Sequence, residues 1–546
     1  MAISRWKLFR VSAAQDIIDR ALDTFDFKPE KIPPTWHPLT TIASQVFTLN
    51  CKTVVQEYPY YDRDFASEHQ AYYSRLFENI ERYCRRFHFF SDEKASDAEL
   101  SSPLLFVDRV APETYLGYMT IRPVWSCPVG KTVIRPPKSC KFLTCKDVFR
   151  AELAGRVFTV EGMPFIQQDS AVGSCAQAAL WMALRTQRKR HGREARSLLQ
   201  ISTAAMKHGI SGRILPNRDG LAYTQVLGAL SEIGYSTFYL RLKESIKSTM
   251  TPDDFARTKQ LLYPYIESSV PVVLALYPIS GSGEGHAVVL NGHGWPDSDT
   301  KICLKCKSAR VKISRENEPD KILFEMFHPV AWASPFYVSN DNSGPYQELP
   351  DKESKGVPYA LEQALYAFPI VHPDVFMTAE EAQVALNDFF GEMSELLDKE
   401  IGIKFIDQYL VVRQMLVSRQ EFRKWSIALP SATLKEHYRS TPLPPVIWIF
   451  EFNVQKTYWN SGSSPNNKQT IRVGELLVDP SADPKHFPVI AFHLNAKHFN
   501  INSIGFLLIQ TQDKSYDVKL LRDDSLYTPI VEEVTHCSYC DAILHS

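Results

Sequence analysis

Between Ala178 and Leu184 the chain runs through AALWMAL without one polar position. A helix that is apolar on every side is buried inside its domain, so this pattern predicts a central helix opening near Cys175. Downstream, PNRDGLAYTQVLGALSEIGY reads as a turn feeding an amphipathic helix that Gly234 closes as a C-cap. Short apolar runs bounded by turn residues follow at VPVVLALY, HAVVLNGH, PFYVSND and YALEQALYAFPIV, and each predicts a strand. Helices precede strands here, an order that fits α+β architecture rather than alternating α/β.

The flanks carry patterns of their own. SEHQAYYSRLFENIERYCRRF has apolar residues at helical spacing, with Ser67 and Glu68 suited to its start. LLFVDRV and TYLGYMTIRPV read as strands. Near the other end, Thr378 and Glu381 form a capping box ahead of AEEAQVALNDFFGEM. IDQYLVVRQMLVSRQEFRKW reads as a second helix, VIWIFEF, GELLVDP and FPVIAFHL as strands, and NSGSSPNNKQ as a loop. Two polar stretches, 191–219 and 296–321, are long enough to be functional loops or inserts. The pattern thus divides into an N-terminal accessory α+β region (1–150), a cysteine-bearing domain (151–373) and a C-terminal α+β accessory domain (374–546).

Composition narrows the function classes. A chain of 546 residues exceeds one ordinary core and implies several domains. With 61 basic and 62 acidic residues, no global field favours nucleic acid or an anionic membrane surface. No apolar run reaches the roughly 18–20 residues of a membrane helix. The opening MAISRWKLFRVSAAQDIIDR lacks the apolar stretch of a signal peptide. Ten cysteines then read as reduced thiols, and the expected location is the cytoplasm. Two CxxC pairs, Cys303/Cys306 and Cys537/Cys540, the second flanked by His536 and His545, are either zinc ligands or ordinary thiols.

Cys175 is the candidate with chemistry. Ser174 is a good N-cap, which puts the thiol in the first helical turn, where unpaired N–H groups and the helix dipole lower a thiol pKa. By itself it reads first as a buried inert cysteine, a common form in intracellular proteins. Partners change the weighing. His286 stands at the start of an apolar strand after a glycine-rich loop; His293, further along that strand, is its competitor. Asn340, Asp341 and Asn342 end a later strand, where an amide or carboxylate would orient an imidazole, or where the three merely make a turn. Strand alternation puts Asn340 and Asn342 on one face and Asp341 on the other. Gln167 and Gln168 precede the cysteine, and a side-chain amide beside the Cys175 N–H would stabilise an oxyanion.

In order and type, QQD…SCAQAALWM, GHAVVLNG and VSNDNSGPY resemble the papain-like cysteine peptidases, most closely a bacterial branch akin to the bacteriocin leader (double-glycine) peptidases. The resemblance covers about residues 160–373 and departs in two places: the segment between glutamine and cysteine is one residue longer, and Ala176 stands where glycine is common. It implies a central helix packed on an antiparallel sheet, Cys175 as nucleophile, His286 as general base and acid, Asp341 as orienter, and Gln168, or alternatively Gln167, as oxyanion donor. The expected activity is hydrolysis of a protein or peptide through a thioester, with no metal or organic cofactor. The same triad would also serve acyl transfer or deamidation. A silent papain-type scaffold used for binding is the reading from another class. The flanks match no family pattern and are expected to shape specificity or bind a partner protein.

Overall fold

The computed structural model describes residues 5–25, 31–91, 94–140, 142–169, 174–208, 220–279, 285–294, 310–315, 318–331, 333, 335–354, 359–400, 410–454, 469–483, 488–495, 506–512, 515–521 and 530–533. The chain is α+β with predominantly antiparallel sheets. It divides into two compact units, one made of 1–247, 271–292 and 336–370, the other of 248–270, 293–335 and 371–546. The three segments read from the sequence therefore regroup. The reason lies in the core: Leu39, Ile42 and Val46 from the first segment are buried in the same apolar cluster as Leu180, Trp181 and Ala183. The first segment thus supplies core to the cysteine-bearing domain instead of standing beside it.

In the first unit, helix α1 (Cys175–Thr186) is buried from Ala176 to Thr186. Helix α2 (Tyr223–Ile233) ends on Gly234 at φ +94°, the left-handed C-cap its sequence signals. Strands β1 (Val272–Leu276), β2 (His286–His293), β3 (Phe336–Asn340), β4 (Gly344–Leu349) and β5 (Ala364–Val371) stand in the order β5-β1-β2-β3-β4. Register pairs Leu276 with His286, Ala275 with Ala287 and Val273 with Val289. Val273, Ala287, Val289, Phe368 and Ile370 share the α1 core, so one sheet face lies against the helix. Asp64, on the helix Arg63–Ala71, accepts from Arg185 at 2.7 Å and from Trp181 Nε1 at 3.3 Å, which fixes α1 further. A five-stranded sheet built from Trp6–Arg10, Thr53–Tyr60, Cys84–Phe90, Tyr115–Ile121 and Val129–Ile134 belongs to the same unit.

The second unit is organised on a sheet with Leu410–Ser418, Val446–Val454, Gln469–Val478 and Val489–Leu494 adjacent in that order. Helix Ala379–Glu392 starts at the Thr378–Glu381 capping box, with Glu381 N donating to Thr378 Oγ1 at 3.2 Å.

Several apolar runs take another form than their spacing predicts. The helix Arg63–Ala71 starts ahead of Ser67, capped by Asp62, and the CRRFHFF portion is a strand buried between two neighbours. Leu410–Ser418 is likewise a strand, buried over nearly its whole length, and the helix begins only at Arg419. Periodicity disappears when both faces are covered, and aromatic content in the first run and β-branched content in the second then favour the strand. LLFVDRV lies in the helix Pro103–Arg109, whose proline occupies a first turn that needs no N–H. The stretch 191–219 holds the helix Leu198–Met206, and 296–321 holds the strand Arg310–Arg315 and the start of Glu318–Phe327. Both CxxC pairs, His536, His545 and the loop 460–468 lie outside the described residues.

Candidate active site

Cys175 is the first residue of α1 and is only partly exposed. Ser174 is extended, as an N-cap must be, but its hydroxyl turns to Gln177 Oε1 at 2.5 Å, and its N–H donates to the same oxygen at 3.1 Å. The helix start therefore keeps N–H groups that the serine side chain does not cap. The backbone N–H groups of Ala287, Ala176 and Cys175 itself favour a thiolate. Burial outweighs them, Asp341 adds negative charge nearby, and the thiol is pushed up to about 12. The expectation that the helix terminus lowers the thiol pKa is corrected here: desolvation wins, and the resting cysteine is neutral.

His286 opens β2 directly after Gly285. Its Nε2 donates to Asn340 Oδ1 at 2.9 Å, which leaves Nδ1 as the acceptor of the neutral ring. Asp341 Oδ1 stands 3.4 Å from the same Nε2. Asp341 is fully buried; burial pushes its carboxyl up to about 6, while His286 and the N–H groups of Asp341 and Asn342 oppose the shift. The alternation expected across Asn340, Asp341 and Asn342 fails because β3 ends at Asn340. The chain then turns, Ser343 N donating to the Asn340 carbonyl at 3.0 Å and Asn342 N to Asn340 Oδ1 at 2.9 Å. Asn340 and Asp341 consequently reach the same imidazole.

The glutamines separate. Gln167 is buried, its Oε1 accepts from Val129 N at 3.1 Å, and its carbonyl accepts from Arg122 at 3.1 Å. Gln168 lines the cavity with Cys175 and His286, and its Nε2 donates to Asn342 Oδ1 at 3.1 Å. Asp169 turns inward, buried, and accepts from the Tyr73 hydroxyl. The cavity measures about 580 Å³.

Sequence reasoning missed Tyr359. Its ring stacks on His286 at 4.6 Å between centroids and 28° between planes. Its hydroxyl engages the Asn342 side chain, and burial raises its pKa. Asn342 so links Tyr359 to Gln168. Nothing in the hydrophobic pattern around VPYALEQ singles out that tyrosine.

His293, the competing histidine, is the last residue of β2 and is buried. Its Nδ1 donates to the Gly294 carbonyl at 2.8 Å and its Nε2 lies 3.3 Å from Glu267 Oε2. Both ring nitrogens are thus engaged.

Among the described residues, no group of three or more His, Cys, Asp or Glu is arranged as a metal-ligand set, and no helix is long and apolar enough to cross a membrane. Compared with known proteins, the chain matches no family model, no curated protein and no solved structure.

Proposed function

We propose that the chain is a cysteine hydrolase of papain-like type, acting on peptide bonds. The observation that carries this reading is that Cys175, His286 and Gln168 line one cavity, with the imidazole held from behind at the end of β3. In this reading the thiol gives up its proton to the imidazole as it attacks. Sγ bonds to the substrate carbonyl carbon as its proton passes to His286 Nδ1. The carbonyl oxygen becomes an oxyanion, stabilised by the Cys175 N–H and the Gln168 amide. His286 then gives the proton to the leaving amine, the C–N bond breaks, and a thioester remains. Water, deprotonated by the same nitrogen, attacks the thioester, releases the acid and restores the thiol. Asn340 fixes the ring through Nε2, and Asp341 supplies charge that favours the transient imidazolium.

The test is incubation of the purified chain with a mixture of quenched peptides in H₂¹⁸O. One labelled oxygen in each new carboxyl terminus, lost in Cys175→Ala, is the expected result. Cleavage that persists in Cys175→Ala contradicts the assignment.

A further inference from the structure

Cys175 opens α1, His286 opens β2 and Asn340 closes β3, so each of these groups is carried by the end of a helix or strand. Gln168 is not. Residues 166–168 belong to no helix or strand. What fixes Gln168 is its two neighbours in sequence. Gln167 is clasped on one side: its N–H donates to the Val129 carbonyl at 3.1 Å, its Oε1 accepts from Val129 N at 3.1 Å, and its own carbonyl accepts from Arg122 Nη2 at 3.1 Å. Asp169, on the other side, is buried and accepts through Oδ2 from the Tyr73 hydroxyl. Between them Gln168 reaches the cavity, where its Nε2 donates to Asn342 Oδ1 at 3.1 Å. A side-chain amide nitrogen carries two N–H groups, so the second can serve a carbonyl oxygen beside Cys175.

The two clasps are one assembly. Tyr73 opens the short 3₁₀ turn Tyr73–Arg75 and is buried, its ring 5.8 Å from that of Phe65 and 5.2 Å from that of Tyr72. It shares an apolar cluster with Phe65, Cys84, Val124 and Cys127. Arg122 is buried as well, and it donates to the carbonyl of that same Cys127 from Nε at 3.0 Å and from Nη2 at 2.6 Å. Its Nη1 lies 3.4 Å from Oε2 of Glu68, which stands on the helix Arg63–Ala71 that also carries Phe65. A planar guanidinium holds the Cys127 and Gln167 carbonyls at a set spacing, which a flexible ammonium does not.

We propose that Tyr73 and Arg122, both outside the cysteine-bearing stretch 151–373, are positioning residues for the oxyanion donor: through Asp169 and Gln167 they fix where the Gln168 amide stands relative to Cys175. The proposal rests on the hydrolase reading, with Gln168 as the donor. The N-terminal segment is then part of the catalytic apparatus as well as of the core. An amide displaced by about 1 Å misses an oxyanion that exists only in the transition state. Loosening either clasp therefore lowers kcat and spares KM.

The experiment is steady-state turnover of one quenched peptide by the full chain, with thermal melting to confirm that every variant folds. Tyr73→Phe removes only the hydroxyl. Arg122→Lys keeps a charge beside Glu68 but cannot serve both carbonyls. Each is expected to lower kcat about tenfold, with KM within about twofold. Gln168→Ala is expected to lower kcat about 100-fold. Added to Gln168→Ala, either positioning variant is expected to lower kcat by less than about twofold more, because the group it positions is gone. A contact that only stabilises the fold gives the same loss with and without Gln168, and that result overturns the proposal. Wild-type kcat in either folded variant, or in Gln168→Ala, overturns it too. The hydrolase reading fails differently: if the unmodified chain cleaves no peptide, or Cys175→Ala still cleaves, reading and proposal fall together, whereas unimpaired variants of an active chain remove the proposal alone.

Discussion

Strand β2 carries a histidine at each end, and each histidine faces a buried carboxylate. At the far end, Glu267 receives Arg413 as well as His293. Burial pushes Glu267 up, but Arg413 and His293 outweigh it and hold the carboxyl below its usual value. Arg413 continues to Glu451 at 3.3 Å, Glu451 to Arg472 at 2.6 Å, and Arg472 to Glu475 at 2.9 Å. Glu267, Arg413, Glu451 and Arg472 each meet an opposite charge there, and both ring nitrogens of His293 are engaged. At the near end, among the described residues, no arginine or lysine is paired with Asp341. Its carboxyl is pushed up to about 6, and His286, held through Nε2 by Asn340, lines the cavity. A histidine–carboxylate pair is therefore structural or chemical according to what else neutralises the acid and whether the ring meets a cavity.

The widest separation between the two ends appears in turnover. Cys175→Ala and His286→Ala are each expected to lower kcat/KM by at least about 10³-fold. His293→Ala is expected to stay within about threefold per folded molecule, measured on one peptide. A comparable loss in His293→Ala erases the contrast.

Stability sharpens it from the other side. Glu267→Ala leaves Arg413 and His293 buried without their nearest acid, and is expected to destabilise by about 3 kcal/mol. Thermal melting at neutral pH reads this. Glu267 has a depressed folded pKa, so its contribution is present above 4.5 and is lost as pH falls through the folded value. The wild-type advantage over Glu267→Ala should shrink in that acid range.

Asp341 behaves with opposite sign. Its folded pKa is raised from 3.8 to about 6, which corresponds to about 3 kcal/mol favouring the protonated form. The stabilising contribution is full below 3.8 and is lost as pH rises through about 6. Asp341→Asn is thus expected to melt several degrees above wild type at pH 7.5 and level with it below pH 4. It should also lose the rise of activity through about pH 6 that ionised Asp341 gives the wild type. A variant less stable at pH 7.5 contradicts this account of the unanswered acid.

A smaller effect concerns ring orientation. Asn340→Ala removes the 2.9 Å hydrogen bond to His286 Nε2 and is expected to lower kcat about tenfold, with Asp341 taking part of the load. The double variant Asn340→Ala/Asp341→Ala should lose more than the product of the single losses.

What the sequence disclosed follows the same physics. Caps are local, so Gly234 and the Thr378–Glu381 box were legible, as was a helix apolar on all sides. The helical readings of 67–87 and 406–425 run into the strands Cys84–Phe90 and Leu410–Ser418 because a strand covered on both faces shows no alternation. At the site, Cys175 and His286 were legible through local context, a thiol after an N-cap serine and a histidine opening an apolar strand. The choice between Asn340 and Asp341 was not, because it depends on where β3 stops and turns. Nor was the thiol's neutrality, because desolvation and the nearness of Asp341 are tertiary facts. Tyr359 on His286 and Tyr73 on Asp169 join segments distant in sequence, and no local pattern announces them.

The most direct test of a Cys175–His286 pair is covalent labelling by a peptidyl vinyl sulfone at pH 7, followed by peptide mapping of all ten cysteines. Such a reagent reports proton transfer within a bound complex, whereas iodoacetamide meets a resting thiol held neutral. The account predicts one adduct, on Cys175, formed at least about 100-fold more slowly in His286→Ala and within threefold of wild type in His293→Ala. Labelling of Cys175 at an unchanged rate in His286→Ala, or preferential labelling of another cysteine, would contradict it.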